Sequence, residues 1–159
     1  MKPTLEDAII FAAQKHRGQI DKAGAPYILH PLRVMASLGR EAGETERIAA
    51  ILHDVVEDCE VSLENLREMG FSDEAVEAID ARAKREDEKD DYMKAIRRAA
   101  QNAVARRVKI GDLGDNMDLS RLPNPTENDR ARLEKYRAAR QFLSEYLEDA
   151  ASSVGESRF

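Results

Sequence analysis

Residues 51–58, Ile51-Leu52-His53-Asp54-Val55-Val56-Glu57-Asp58, decide how this chain is read. They continue an apolar run (Ile48, Ala49, Ala50) whose spacing predicts a buried helix, and such a helix has no ordinary use for four ionisable groups. Residues four apart share a helix face, so His53 stands over Glu57 and Asp54 over Asp58, in two columns about 100° apart. All four can border one cavity. Burying three carboxylates without partners is costly, and groups so placed pair, protonate or coordinate a cation. A metal ion resolves the conflict most simply, because it holds carboxylates ionised while a neutral imidazole supplies a nitrogen ligand. The competing reading is a surface helix whose polar face carries these residues.

Working outward, the 159 residues suit one compact domain with a real core. Hydrophobic residues make up 42% and charged residues 35%, a balance too apolar for disorder. No apolar run approaches the roughly 18 residues of a membrane-crossing helix. The start, Met1-Lys2-Pro3-Thr4-Leu5-Glu6-Asp7, lacks a signal peptide's basic-then-apolar order, so no membrane association and a cytoplasmic location are expected. The single cysteine, Cys59, excludes an intramolecular disulfide framework and a Cys-rich zinc site. A net charge of −6 argues against nucleic acid as a partner. It leaves room for a phosphorylated small molecule, since a bound cation and a few local Lys and Arg residues can reverse the potential in one pocket.

No strand, repeat or low-complexity segment is visible, and the expected fold class is all-α. Thr4 is placed to cap a helix from Leu5 to about Lys15 with an apolar stripe of Leu5, Ala8, Ile9, Ala12 and Ala13. The glycine- and proline-bearing stretch from His16 to Pro31 reads as a shaped loop, where binding residues tend to sit. Pro31 suits the first turn of a second helix, with His30 at or next to its N-cap. Ser62 and Ser72 open two further helices. The charge-dense segment from Ala81 to Asp91 reads, for most of its residues, as a solvated connection. Tyr92, Ala95, Ile96 and Ala99 mark an amphipathic helix, and Thr126 with Asp129 caps a long last one.

A second unusual stretch is Val108-Lys109-Ile110-Gly111-Asp112-Leu113-Gly114-Asp115-Asn116-Met117. Asp112, Asp115 and Asn116 share a face if it is helical. Its two glycines each cost a helix up to about 1 kcal/mol relative to alanine, an expense often tied to close approach of backbone or ligand.

Together these motifs resemble the HD-domain hydrolases, and among them the RelA/SpoT-type alarmone hydrolase domain with its small stand-alone members. The resemblance runs over roughly residues 4 to 150. It rests on His16 to Pro31, on His53, Asp54, Glu57 and Asp58, and on Lys109, Ile110, Gly111, Asp112, Asn116 and Met117. It implies a single HD-domain helical bundle, placed over residues 1–151, and the residues at 152–159 read as a flexible tail. It further implies metal ligation by His30, His53, Asp54 and Asp112, usually to manganese. Glu57 and Asp58 would position and deprotonate the attacking water. Lys22, Asn116, Arg132 and Tyr136 match positions that contact the nucleotide. Two imidazoles and two carboxylates suit a first-row divalent ion without choosing among manganese, iron and zinc.

The activity so implied is manganese-dependent removal of the 3′-pyrophosphate from guanosine tetra- or pentaphosphate. The alternatives are hydrolysis of another nucleotide, such as an adenine counterpart, and a nucleotide-binding module without turnover. Two positions depart from the family pattern. Asp21-Lys22 stands where Arg-Lys is common, removing a cation suited to stacking on a purine, and Asp115 stands where a His is frequent. A synthetase activity is not expected, because this length leaves no room for a second catalytic domain.

Overall fold

The computed structural model describes the backbone of residues 1–156 and the side chains of residues 1–146 and Asp149. Thr4 and Asp7 exchange hydrogen bonds in a capping box that starts α1 (Leu5–Lys15). Ala8 and Ala12 are buried and Leu5 and Ile9 pack beside them, whereas Ala13 faces outward. After the shaped loop, which holds an isolated bridge between Ile20 and Pro26, α2 spans Leu29–Ser37. His30 therefore lies inside the first turn, two positions past the N-cap Ile28 rather than at or next to it, and Gly39 at φ +81° lets the chain leave the helix.

The helix of the decisive stretch is interrupted, which the sequence reading did not foresee. α3 (Glu44–Leu52) stops before His53, and a separate turn, α4 (Val55–Asp58), begins after Asp54. The reason is local. His53 Nδ1 donates to the Ala50 carbonyl at 2.5 Å, the acceptor that a continuing helix would offer to the Asp54 N–H. Without that backbone bond the chain bends at the His-Asp pair, and both side chains turn towards the same side.

Ser62 and Ser72 cap α5 (Leu63–Glu68) and α6 (Asp73–Arg82) through their side-chain oxygens. α7 (Tyr92–Ala100), α8 (Ala103–Asn116) and α9 (Glu127–Glu156) follow. The fold is all-α, and among the described residues no helix is long and apolar enough to cross a membrane. Of the expected tail at 152–159, α9 takes in residues 152–156, and 157–159 lie outside the described residues.

Burial explains why α3 and α8 are central. Ile51, Leu52 and Val55 pack with α1, α5 and α6. Ala49 and Ala50, on another face of α3, pack with Val34 of α2 and with Val104, Ala105 and Val108 of α8. Leu113 of α8 then meets Ala139 and Leu143 of α9. Ile51 and Leu52 are fully buried, each stabilising the fold by roughly 1.5–3 kcal/mol. A Cβ at Gly111 would stand 2.6 Å from Ser37 Oγ and 3.4 Å from the Val34 carbonyl oxygen. This glycine thus permits the close approach of α2 and α8, which brings His30 to Asp112. Gly114 meets only ordinary contact with Arg140.

Candidate metal centre and active site

Four side chains expected to meet do so. His30 Nε2 lies 3.5 Å from Asp54 Oδ2 and 3.2 Å from Asp112 Oδ1. His53 Nε2 lies 2.9 Å from Asp54 Oδ2 and 3.9 Å from Asp112 Oδ1. One ligand atom from each of His30, His53 and Asp54 falls within 4.8 Å of the others. Donor atoms that share a cation at about 2.0–2.2 Å stand roughly 3–4 Å apart, so this spacing suits a small divalent ion.

The hydrogen bonds around the imidazoles sharpen that fit. With Nδ1–H committed to the Ala50 carbonyl, His53 presents a bare lone pair at Nε2, and that atom is buried without a hydrogen-bond partner. An acceptor nitrogen facing a carboxylate oxygen at 2.9 Å calls for a positive charge between them. His30 is oriented differently. Its Nδ1 meets Asp115 Oδ2 at 2.7 Å, and Arg33 grips both oxygens of that carboxylate at 2.7 and 3.1 Å.

The two carboxylates are anchored from outside. Tyr27 donates its hydroxyl to Asp54 Oδ2 at 2.6 Å. Asp112 Oδ2 accepts from Arg82 at 2.8 Å and Lys109 at 3.0 Å, while its Oδ1 accepts from Asn116 at 2.8 Å. Burial would raise both acids, but His30 and Arg82 help to outweigh it for Asp54, and Lys109, His30 and Arg82 for Asp112; both carboxyls lie well below the usual range. For His30 burial works downward, yet Asp112 and Asp54 push it up to about 10. Burial and Asp54 also raise the Tyr27 hydroxyl and keep it protonated.

Two cavities flank the cluster and share Tyr27, His30, Asn116 and Tyr136. The first, about 340 Å³, lies under the start of α9, and Lys22, Asn116, Arg132 and Tyr136 all line it. The four positions expected to contact a nucleotide are thereby brought to one wall. The second, about 480 Å³, holds Glu57 together with Lys84, Lys109 and Lys135. Glu57 Oε1 accepts the Lys84 backbone N–H at 3.1 Å. Asp58 is exposed and does not line either cavity, although burial, Asp54 and Glu57 raise its carboxyl.

Several contributors escaped the sequence reading. Arg82 lies in the segment read as mostly solvated, yet it is tied to Asp112, and Glu88 nearby is buried in a fork with Arg98. Arg33 and Asp115 carried one usable signal, since each sits three residues beyond a proposed ligand on the same helix face. Asp21, the departure from the stacking arginine, organises its own loop by accepting the N–H groups of Ala23 and Ala25 at 2.9 Å.

Residues 8–111, well over half of the chain, match the family described as HD domain. The chain belongs to the HD-domain family. The chain is 30% identical over 142 residues to a GTP pyrophosphokinase of Myxococcus xanthus, covering 81% of this chain and 18% of that protein. It is 29% identical over 152 residues to a guanosine-3′,5′-bis(diphosphate) 3′-pyrophosphohydrolase of Vibrio cholerae, covering 89% and 20%. The chain spans about a fifth of the length of these bacterial relatives. Against the human pyrophosphohydrolase MESH1 identity is 46% over 67 residues, 39% of this chain and 37% of that one. A solved structure of a metazoan ortholog of SpoT that hydrolyses ppGpp shares the HD-domain fold, with TM-score 0.74 at 24% identity and 98% of both chains covered.

Proposed function

We propose that this HD domain is a cytoplasmic, divalent-metal-dependent phosphohydrolase that removes the 3′-pyrophosphate of guanosine tetra- or pentaphosphate. The observation that carries this reading is the cradle in which His53 Nε2, buried and lone-pair-bearing, faces Asp54 at 2.9 Å beside His30 and Asp112. His30, His53, Asp54 and Asp112 would hold the cation, with manganese the expected ion. A divalent ion there supplies Lewis-acid polarisation of a phosphoryl group and acidifies water.

The chain's own groups complete the chemistry. Lys22, Arg132, Asn116 and Tyr136 receive the nucleotide in the first cavity. Lys84, Lys109 and Lys135 line the second, where the departing pyrophosphate finds cations. Glu57, steadied by the Lys84 N–H, takes a proton from the attacking water. Asp58, with its raised carboxyl, stores or relays that proton from the edge of the site. The water oxygen bonds to the phosphorus nearest the ribose, the P–O3′ bond breaks, and the proton taken from the water ends on the 3′ oxygen, which leaves as a hydroxyl. The products are pyrophosphate and the 5′-diphosphate from the tetraphosphate or the 5′-triphosphate from the pentaphosphate.

The test is a panel of guanine and adenine nucleotides bearing 3′-pyrophosphate or 2′-phosphate, incubated with manganese and the full chain, with products identified by mass. Pyrophosphate release from the guanine compound is expected, and Glu57→Gln with Asp58→Asn should lower kcat by about 10²–10⁴. Turnover indifferent to that double change would remove Glu57 and Asp58 from the mechanism. Orthophosphate as product, or a preference for adenine, would redirect the assignment.

A further inference from the structure

His30 and Arg33 lie three apart on α2, and Asp112 and Asp115 lie three apart on α8. Where the helices meet, these two pairs interlock. Asp112 Oδ1 reaches His30 Nε2 at 3.2 Å, while Asp115 Oδ2 reaches the opposite ring nitrogen, Nδ1, at 2.7 Å. Asp115 is itself fixed, because Arg33 Nε and Nη2 hold its two oxygens and Arg121 Nη2 adds contacts at 3.1 Å to its carbonyl and 3.4 Å to Oδ2. Its side chain is 9% exposed. Arg33, Asp115 and Arg121 also stand in the wall of the first cavity, but Asp115 meets His30 on Nδ1, the ring nitrogen opposite to the one that faces Asp54 and Asp112.

We propose that Asp115 is a positioning residue of the metal centre. By accepting the Nδ1–H of His30 it fixes the tautomer that turns the Nε2 lone pair on the cation, with Arg33 and Arg121 clamping the carboxylate in place. A carboxylate behind an imidazole also makes the far nitrogen a stronger donor, whereas His53 has only a neutral carbonyl behind it. The centre therefore has one strong and one ordinary nitrogen ligand. This rests on reading the cradle as a metal site.

The experiment uses the full chain and the metal alone. Mn²⁺ affinity is measured by calorimetry, and Co²⁺ is added to record its visible absorption, which reports ligand strength and geometry. Asp115→Asn should weaken Mn²⁺ binding about 10–100-fold and shift the Co²⁺ band. Asp118→Asn removes the same charge from a neighbour that bonds Ser120 and Arg121 but not His30, and should leave affinity within about twofold. Arg33→Gln, which loosens the clamp without touching Asp115, should weaken binding in the same direction by a smaller factor, and it decides the matter if Asp115→Asn does not fold. Unchanged affinity and spectrum in Asp115→Asn, or in Arg33→Gln if that is the folded variant, would overturn the proposal and leave the metal reading intact. An unaltered chain that binds neither ion would overturn both.

Discussion

The two halves of the cradle are built in opposite ways. His53 and Asp54 are neighbours in sequence, and one imidazole-to-carbonyl bond at the end of α3 turns them inward. His30 and Asp112 come from helices far apart in the chain, and they meet only because α2 and α8 pack closely at Gly111 and because Arg82 and Asp115 hold them from outside. The first half is a property of local backbone geometry; the second is a property of tertiary packing. Damage to packing should therefore disable the second half while the first keeps its shape.

The largest effect is expected at Arg82, whose side chain and that of Asp112 are 6% and 7% exposed. Arg82→Met leaves Asp112 buried without its guanidinium and should cost about 3–5 kcal/mol in denaturant titrations with chelator present. Added Mn²⁺ should recover part of that loss, because a cation in the cradle also offsets the carboxylate. Equal destabilisation with and without metal would separate Asp112 from the cradle.

A pH series sharpens the contrast between the imidazoles. His30, pushed from 6.5 up to about 10, stabilises the folded chain fully below 6.5 and loses that contribution as pH rises through 10. Asp54 and Asp112, held below 3.8, contribute above that value and lose it as pH falls through their lower folded values. With chelator, stability should thus decline from neutral pH upward. Mn²⁺ binding displaces the His30 proton and should tighten about tenfold per pH unit between roughly 6.5 and 8.5. Calorimetry at several pH values checks this, and a flat profile would show that binding displaces no proton and that His30 is not the ligand it displaces one from.

Gly111→Ala tests the packing itself. The new methyl collides with Ser37 Oγ, at an expected cost of about 1–3 kcal/mol, before the roughly 1 kcal/mol that alanine returns to the helix. Mn²⁺ affinity should fall as His30 and Asp112 separate, and the added change Ser37→Ala should restore it. Smallest of all, Lys84→Ala removes an ammonium that is 89% exposed and 3.4 Å from Glu57. Stability should change by less than about 1 kcal/mol, because the Lys84 backbone N–H still holds Glu57. A large loss of kcat would show that the ammonium takes part in turnover, by setting the position of Glu57 or by meeting the departing pyrophosphate.

Much of this was legible in the sequence because it is local. The caps at Thr4, Ser62, Ser72 and Thr126 and the apolar periodicity place the helices, and an acidic pair beside His-Asp in an apolar run marks the centre. What stayed hidden depends on tertiary partners. The helix break at His53 follows from where one ring nitrogen finds its acceptor. Arg82 is one charge among many between Ala81 and Asp91, and its role arises only when α6 meets α8. Asp115 looked like a missing histidine, whereas packing makes it the partner of one that is present.

The first cavity has Lys22, Arg33, Arg121 and Arg132 in its wall, yet these are not four free charges. Lys22 is 3.2 Å from Asp129, and Arg33 and Arg121 are spent on Asp115. Of these four, only Arg132 has no acidic partner among the described residues. On the proposed function, a polyphosphate would win Lys22 from Asp129 by exchange and would meet Arg33 and Arg121 while they keep their hold on Asp115. Such a wall would favour a guest with several phosphates over a lone monophosphate.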